Sequence, residues 1–185
     1  MYHIANDPRA KRSADLIADT VVALAQHTEF AEISIAAIQR DSTVSRSTFY
    51  RLFDTTVDVL AYRCNQMVDA ITADMAQFTQ QSLHEAQITF IRACMAHVDL
   101  LQALAASGHT AILRDAHRRN LPNIIARLPL ATSISSATAD YVNNMLVDIL
   151  PSAMFVWLQH GRQEDAETVF EQIKSGTQVL SALYQ

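Results

Sequence analysis

The chain has 185 residues, half of them hydrophobic and 18% charged, with 3 Gly, 4 Pro and a formal net charge of −5. So few turn residues exclude a sheet protein of this size, and so much apolar material excludes a disordered one, which leaves an all-α protein with a core of its own. The negative charge argues at first against nucleic acid, but residues 1–56 hold six basic and seven acidic side chains and residues 57–185 hold eight and twelve, so most of the excess lies in the second part.

In chain order, Asn6 or Asp7 followed by Pro8 is a helix start, and Ala14, Ile17, Ala18, Val21 and Ala25 keep helical spacing, which predicts a first helix over Pro8–His27. Ser34 caps a very short helix, Ile35–Arg40, and another short helix begins near Ser45 after "DSTV". Thr55 with Asp58 three residues on is a capping box that opens a long helix from Thr56 to Gln80. Ser82 and Glu85 repeat the device for a helix to Ser107, closed by Gly108. Two shorter helices, His109–Arg119 and Pro122–Arg127, precede the loop-like "LPLATSISS". Ala137–His160 is a long helical pattern that Pro151 should kink or break, ended by Gly161, and Asp165–Tyr184 is the last. The expected architecture is three small helices followed by a larger helical body, about nine helices in all.

The short second and third helices are marginal alone and need neighbours, which is the situation of a helix-turn-helix. In "STVSRSTFYRLFDTTVD", Phe49 and Phe53 lie four residues apart on one face and anchor the helix, with Val44 in the turn. The other face shows Ser45, Arg46, Ser47, Thr48 and Arg51, with Tyr50 at its edge. Hydroxyls at a helix start suit phosphate oxygens. Arg46 is long enough for guanine O6 and N7, and the Thr48 methyl suits a thymine methyl. Arg51 and the Tyr50 hydroxyl suit the DNA backbone, and small side chains at Ser45 and Ser47 let the helix sit deep in a major groove. Ser34 and Thr56, at neighbouring helix starts, complete the candidate DNA-binding set.

These residues resemble the DNA-binding domain of the TetR family of bacterial transcriptional regulators. The stretch "ISIAAIQRDSTVSRSTFYRLF", followed by "DTTVDVL", carries the likeness, and the pattern V-S-x-x-T-[FIL]-Y-x-x-F is met by Val44, Ser45, Thr48, Phe49, Tyr50 and Phe53. It covers about residues 8–65. "FVWLQHGRQEDAETV" is similar to the junction between the last two helices in many members. The resemblance implies a DNA-binding head (1–55) that reads operator duplex, and a body (56–185) that binds a small-molecule or protein effector. It also implies a homodimer, joined through a four-helix bundle of the last two helices. Three positions depart from the family pattern: Thr43 and Ser47 stand where it usually has glycine, and Thr56 where it usually has lysine. A lost phosphate contact lowers the salt slope by about 0.9, so weaker or more selective DNA binding is expected.

In the last helix Val169, Ile173, Gly176, Leu180 and Leu183 form a narrow stripe, read as a dimer seam with Ala153, Met154 and Trp157. The candidate effector contacts are Tyr62, Phe90, Cys94, His97, Met145 and Asp148, with Met67, Met75, Phe78, Met95 and Phe155 as further apolar lining. His97 and Asp148 fall inside apolar patterns, where a polar group needs a partner. No His or Cys pair has metal-ligand spacing, and no glycine-rich phosphate loop or nucleophile motif occurs, so neither a metal nor another cofactor nor an enzyme is expected. Nothing resembles a signal peptide, and the apolar run "ILPSAMFVWL" is too short to span a bilayer, so the expected protein is cytoplasmic with no membrane partner. The rival reading keeps the helix-turn-helix as a protein-docking surface that does not touch DNA.

Overall fold

The computed structural model describes residues 1–4, 6–76, 83–125 and 135–183. Among them the helices are α1 Pro8–Leu24, α2 Ile35–Ser42, α3 Arg46–Leu52, α4 Thr56–Ala76, α5 Leu83–Ala96, α6 Val98–Ala106, α7 Ala111–Ile125, α8 Ser136–Gln159 and α9 Ala166–Ala182. The described residues hold no strand beyond an isolated bridge between Tyr2 and Phe53, so the chain is all-α, as its composition requires. It divides into two compact units: Met1–Met67 with Val98–Leu113, and Val68–His97 with Arg114–Gln185.

In the first unit α1, α2 and α3 pack on one another. Asp7 caps α1 by accepting the Arg9 N–H at 3.0 Å, and Pro8 occupies the first turn, where its missing N–H costs nothing. Ala14, Ile17, Ala18 and Val21 line the buried stripe. The helix stops at Leu24, short of the expected His27, and the Gln26 amide then bonds the carbonyls of Val22 (3.0 Å) and Asp99 (2.9 Å), tying its end to α6. Ser34 caps α2 by accepting the Ala37 N–H at 3.2 Å.

Between α2 and α3 the chain turns at Thr43, whose φ of 61° is left-handed. A β-branched residue there carries about 1–2 kcal/mol of strain that glycine would not. Ser42 holds the turn: its buried hydroxyl accepts the Val44 N–H at 3.1 Å. The Thr55–Asp58 box forms reciprocally, the Thr55 hydroxyl accepting the Asp58 N–H at 3.2 Å and Asp58 accepting the Thr55 N–H at 2.9 Å. Residues 1–4 run beside the α3–α4 junction, where the His3 N–H donates to the Leu52 carbonyl at 2.8 Å.

In the second unit α5 packs against α8 and α9, burying Phe90, Ile91, Cys94, Val147, Leu150, Met154, Trp157, Val169 and Phe170. Three expectations are corrected. The helix expected up to Ser107 is two, broken at His97, whose N–H bonds the Cys94 carbonyl at 3.0 Å. The two expected at His109–Arg127 are one, α7, which runs through Pro122 on its exposed side. Pro151 does not end α8 either. A proline at 151 leaves the Val147 carbonyl without its helical donor, and the buried His117 ring supplies one, Nδ1 lying 3.1 Å from that oxygen. Phe78, Ser82 and nearly all of "LPLATSISS" fall outside the described residues.

Because α8 continues through Pro151, its apolar length is greater than the ten-residue run suggests. Ala137–Gln159, with a mean hydropathy of 1.2, is the one helix among the described residues that is by itself long and apolar enough to cross a membrane. Here it is an ordinary packed helix on α5 and α9, with Val147, Leu150, Met154 and Trp157 buried and Asn144 and Asp148 facing out.

Candidate nucleic-acid interface

The α3 helix is built with two faces. Phe49 (1% exposed), Leu52 (1%) and Phe53 (0%) are anchored. The Phe49 and Phe53 rings lie 5.8 Å apart, and Phe53 meets Tyr62 of α4 edge-on at 5.7 Å. Buried aromatic edges of this kind fix the helix as a rigid rod. Leu52 belongs to this anchor although two-faced spacing alone singles out only the phenylalanines.

The other face carries the candidate contacts. Ser45, Arg46, Ser47, Tyr50 and Arg51 are exposed and Thr48 is half-buried. The Ser45 hydroxyl accepts the Thr48 N–H at 3.2 Å and lies 3.0 Å from the hydroxyls of both Ser47 and Thr48. This cluster caps the helix and presents three hydroxyls at its positive end, where an anion is favoured. The Arg46 guanidinium sits over the Tyr50 ring, 5.5 Å from its centroid, a contact worth about 0.5–1 kcal/mol at an exposed site. Tyr50 is braced in turn by Phe49, edge-on at 5.5 Å. Arg46 is therefore held on a platform at the helix surface. Ser34 is exposed and spent as the cap of α2, and Thr56 is half-buried at the first position of α4.

Four acids of the head, Asp15, Asp19, Asp41 and Asp54, are engaged in a way that its charge count hides. Asp15 accepts hydrogen bonds from the Tyr62 hydroxyl and the Gln66 amide, both at 2.8 Å; burial and this carboxylate push the phenol well above its ordinary pKa. Asp19 pairs with Arg63 at 2.9 Å, Asp41 with Arg40 at 2.7 Å, and Asp54 lies 3.1 Å from His3 Nε2. Among the described residues Arg9, Lys11, Arg12, Arg46 and Arg51 form no ion pair, and neither do the acids Asp7, Glu29 and Glu32.

The effector candidates are spread out. Phe90 and Cys94 are buried in the second unit, the Phe90 ring lying against that of His117 with centroids 4.8 Å apart and planes tilted by 47°. Tyr62 belongs to the first unit, its hydroxyl committed to Asp15. His97, Met145 (66% exposed) and Asp148 face solvent, and Asp148 lies 3.7 Å from Arg114, so the apolar pattern around them does not make them core. Among the described residues the buried polar side chain of the body is His117, which periodicity did not single out. Among the described residues no group of His, Cys, Asp and Glu is placed to hold a metal.

The seam candidates divide likewise. Met154, Trp157 and Val169 are buried within the protomer, while Gly176, Leu180 (56%) and Leu183 (73%) face solvent and Ala153 and Ile173 are half-exposed. Val156 and Val179 extend this outward apolar face, and a groove of about 550 Å³ runs between α8 and α9 over Ala153, Val156, Trp157 and Ile173. The junction is rigid: Gly161 takes a φ of 76°, the Trp157 indole N–H donates to the Glu164 carbonyl at 3.0 Å, and Asp165 caps α9 by accepting the Thr168 N–H at 2.8 Å.

Comparison with solved structures places this architecture. The Lin0861 protein of Listeria innocua matches with a TM-score of 0.80 at 17% identity, covering 96% of each chain. A TetR transcriptional regulator from Streptococcus agalactiae matches with a TM-score of 0.61 at 15% identity, over 89% of this chain and 93% of that one. The fatty acid degradation regulator FadR from Bacillus halodurans matches at 0.53 and 14% identity, over 91% and 94%. No protein-family model and no curated protein sequence matches the chain. At these identities the likeness is one of fold, and the fold is that of the TetR-like regulators.

Proposed function

We propose that the chain, folded as TetR-like regulators are, is a homodimeric cytoplasmic transcriptional regulator that reads operator DNA with α3 and releases or engages it when an effector occupies the body. Residues 1–55 act as the DNA-binding head and residues 56–185 as the effector-binding and dimerisation body. The observation that carries this reading is the face of α3: Arg46 on its Tyr50 platform, Arg51, Ser45 and Ser47 are exposed, with Thr48 half-buried beside them, while Phe49 and Phe53 fix the helix from behind. Arg46 reads base edges, and Ser45, Ser47, Thr48, Tyr50 and Arg51 hold phosphates and the groove wall. In the dimer two such helices enter successive major grooves roughly 34–36 Å apart, or a multiple of that. An effector that changes their separation weakens binding, and DNA and effector then alter each other's affinity by the same factor.

The test is a gel shift of the purified protein on the DNA upstream of its own gene, at low and raised salt, with unrelated duplex as competitor. Arg46→Ala should change the preference among sequences, by about 1–3 kcal/mol at one base pair. Tyr50→Phe, which keeps the ring under Arg46 and loses the hydroxyl, should weaken all duplexes alike by no more than about 1.5 kcal/mol. Uniform loss in both variants removes Arg46 from base reading.

The seam reading carries its own test. Leu180 and Leu183 are so exposed that Leu180→Glu with Leu183→Glu should leave the protomer folded, yet weaken the dimer by at least about 3 kcal/mol through buried charge. Sedimentation of the double variant should show monomer at concentrations where the wild type is dimeric. An unchanged dimer moves the interface elsewhere.

One observation favours the rival reading of a protein-docking head: α4 starts with the uncharged Thr56 between the carboxylates of Asp54 and Asp58. A folded dimer with no specific gel-shift band at low salt decides for it.

A further inference from the structure

We infer, resting on the DNA-binding reading above, that residues 1–4 are a strap that fixes α3 at its working angle on α4, with Tyr2 as the positioning residue for base reading by Arg46.

The end of α3 is held from outside the helix. At Phe53 the chain passes into extended backbone, and after Asp54 and Thr55 it enters α4 at Thr56. The last carbonyls of a helix have no donor within it. For Leu52 the donor is the His3 N–H at 2.8 Å, and beside it the Asp54 N–H donates to the Met1 carbonyl at 3.2 Å. These two bonds frame an antiparallel bridge between Tyr2 and Phe53. The His3 ring adds a side-chain tie, with Nε2 3.1 Å from Asp54 Oδ1. The joint between the reading helix and α4 is thus one side of a short ladder.

Tyr2 pins the other side of that ladder to α4. Its ring meets Tyr62 edge-on at 5.5 Å, and Phe53 meets the same Tyr62 ring at 5.7 Å. Its hydroxyl accepts the Asn65 amide at 2.8 Å, three residues further along α4. Turning α3 about its end would therefore break the bridge or pull Tyr2 off Tyr62 and Asn65. Elsewhere α3 packs on α1 and α2, whereas α4 runs on from the first unit into the second. The strapped joint is where the reading helix is fixed to the helix that leaves the head. A two-turn helix has little stability of its own. A bidentate contact from Arg46 to a base edge needs narrow distances and angles. Phosphate contacts are more forgiving, because long-range charge supplies most of their energy.

That asymmetry separates positioning from mere stability. The test compares full-length Tyr2→Ala, Tyr2→Phe and Asn65→Ala with the wild type, on the duplex from upstream of the gene and on a random duplex of equal length, across a range of salt. In Tyr2→Ala the ratio of the two affinities should fall by about 5- to 150-fold, the discrimination that one bidentate base contact supplies. Affinity for the random duplex and its salt slope should stay as in the wild type, since no cation has been removed. Asn65→Ala cuts the same anchor from the α4 side and should move the ratio the same way by a smaller factor. Tyr2→Phe keeps the ring on Tyr62 and should retain more of the ratio than Tyr2→Ala. Unfolding of part of the protein has a different signature, lowering both affinities by one factor and leaving their ratio unchanged. An unchanged ratio in Tyr2→Ala, with or without such a common loss, overturns the inference and leaves the α3 reading intact. If the wild type itself prefers no sequence, the DNA-reading proposal fails and the positioning role fails with it.

Discussion

Phe53→Ala is expected to destabilise the head by about 3–5 kcal/mol, the range for removing a fully buried phenyl ring. The ring is 0% exposed and touches Phe49 on one side and Tyr62 on the other, so its loss opens a cavity in the small core that holds α3 to α4. Two-turn helices have little stability of their own, so α2 and α3 should lose their amide protection and specific DNA binding should go with them. Tyr50→Ala, at 48% exposure, should cost less than about 1 kcal/mol of stability while still impairing binding. Hydrogen exchange over residues 35–53, with DNA affinity measured in parallel, separates the two faces. Native-like protection in Phe53→Ala contradicts the anchoring role.

The second large effect concerns the body. His117→Leu should destabilise it by about 1–3 kcal/mol, because the Val147 carbonyl is then buried with no donor. The cause lies four residues along α8: Pro151 has no N–H to give that oxygen, and His117 Nδ1 gives one instead. In a Pro151→Ala background the helix supplies its own donor, and the cost of His117→Leu should shrink to well under half. A double-mutant cycle reads this coupling directly, and an equal cost in both backgrounds refutes it. The same ring sets a pH dependence. Burial holds the folded imidazole below its ordinary pKa of 6.5, so the unfolded chain takes up the proton first. Its contribution is intact above pH 6.5 and is lost as pH falls below that value. His117→Leu should flatten this part of the stability profile.

Local signals carry most of what was legible in the sequence. Asp7–Pro8, Ser34, Ser45, Thr55–Asp58 and Asp165 each start a helix within a residue or so of where their capping chemistry puts it. Such caps depend on neighbours three residues away, which a sequence displays. What failed depends on distant partners. Pro151 reads as a break, and only the fold brings up an imidazole from α7 to cover the freed carbonyl. His97 sits in an unbroken helical pattern, yet α5 ends there. Asp148 and Met145 lie on a helix whose outward side also carries the apolar Tyr141 and Val156, so periodicity did not separate inside from outside. On α3 the two faces were readable because hydroxyls and cations alternate with rings. The platform under Arg46 and the hydroxyl of Ser42 that holds the Thr43 turn were not, since both are contacts and not patterns.

Recognition of a two-fold operator by α3 is the central claim, and hydroxyl-radical footprinting of the wild-type dimer on its own upstream DNA at low salt tests it most directly. The account predicts two protected half-sites on one face of the duplex, separated by one turn or a small multiple of it, with protection that fades as salt rises and shifts in Arg46→Ala. A folded dimer that protects no sequence above the random background at low salt would contradict it.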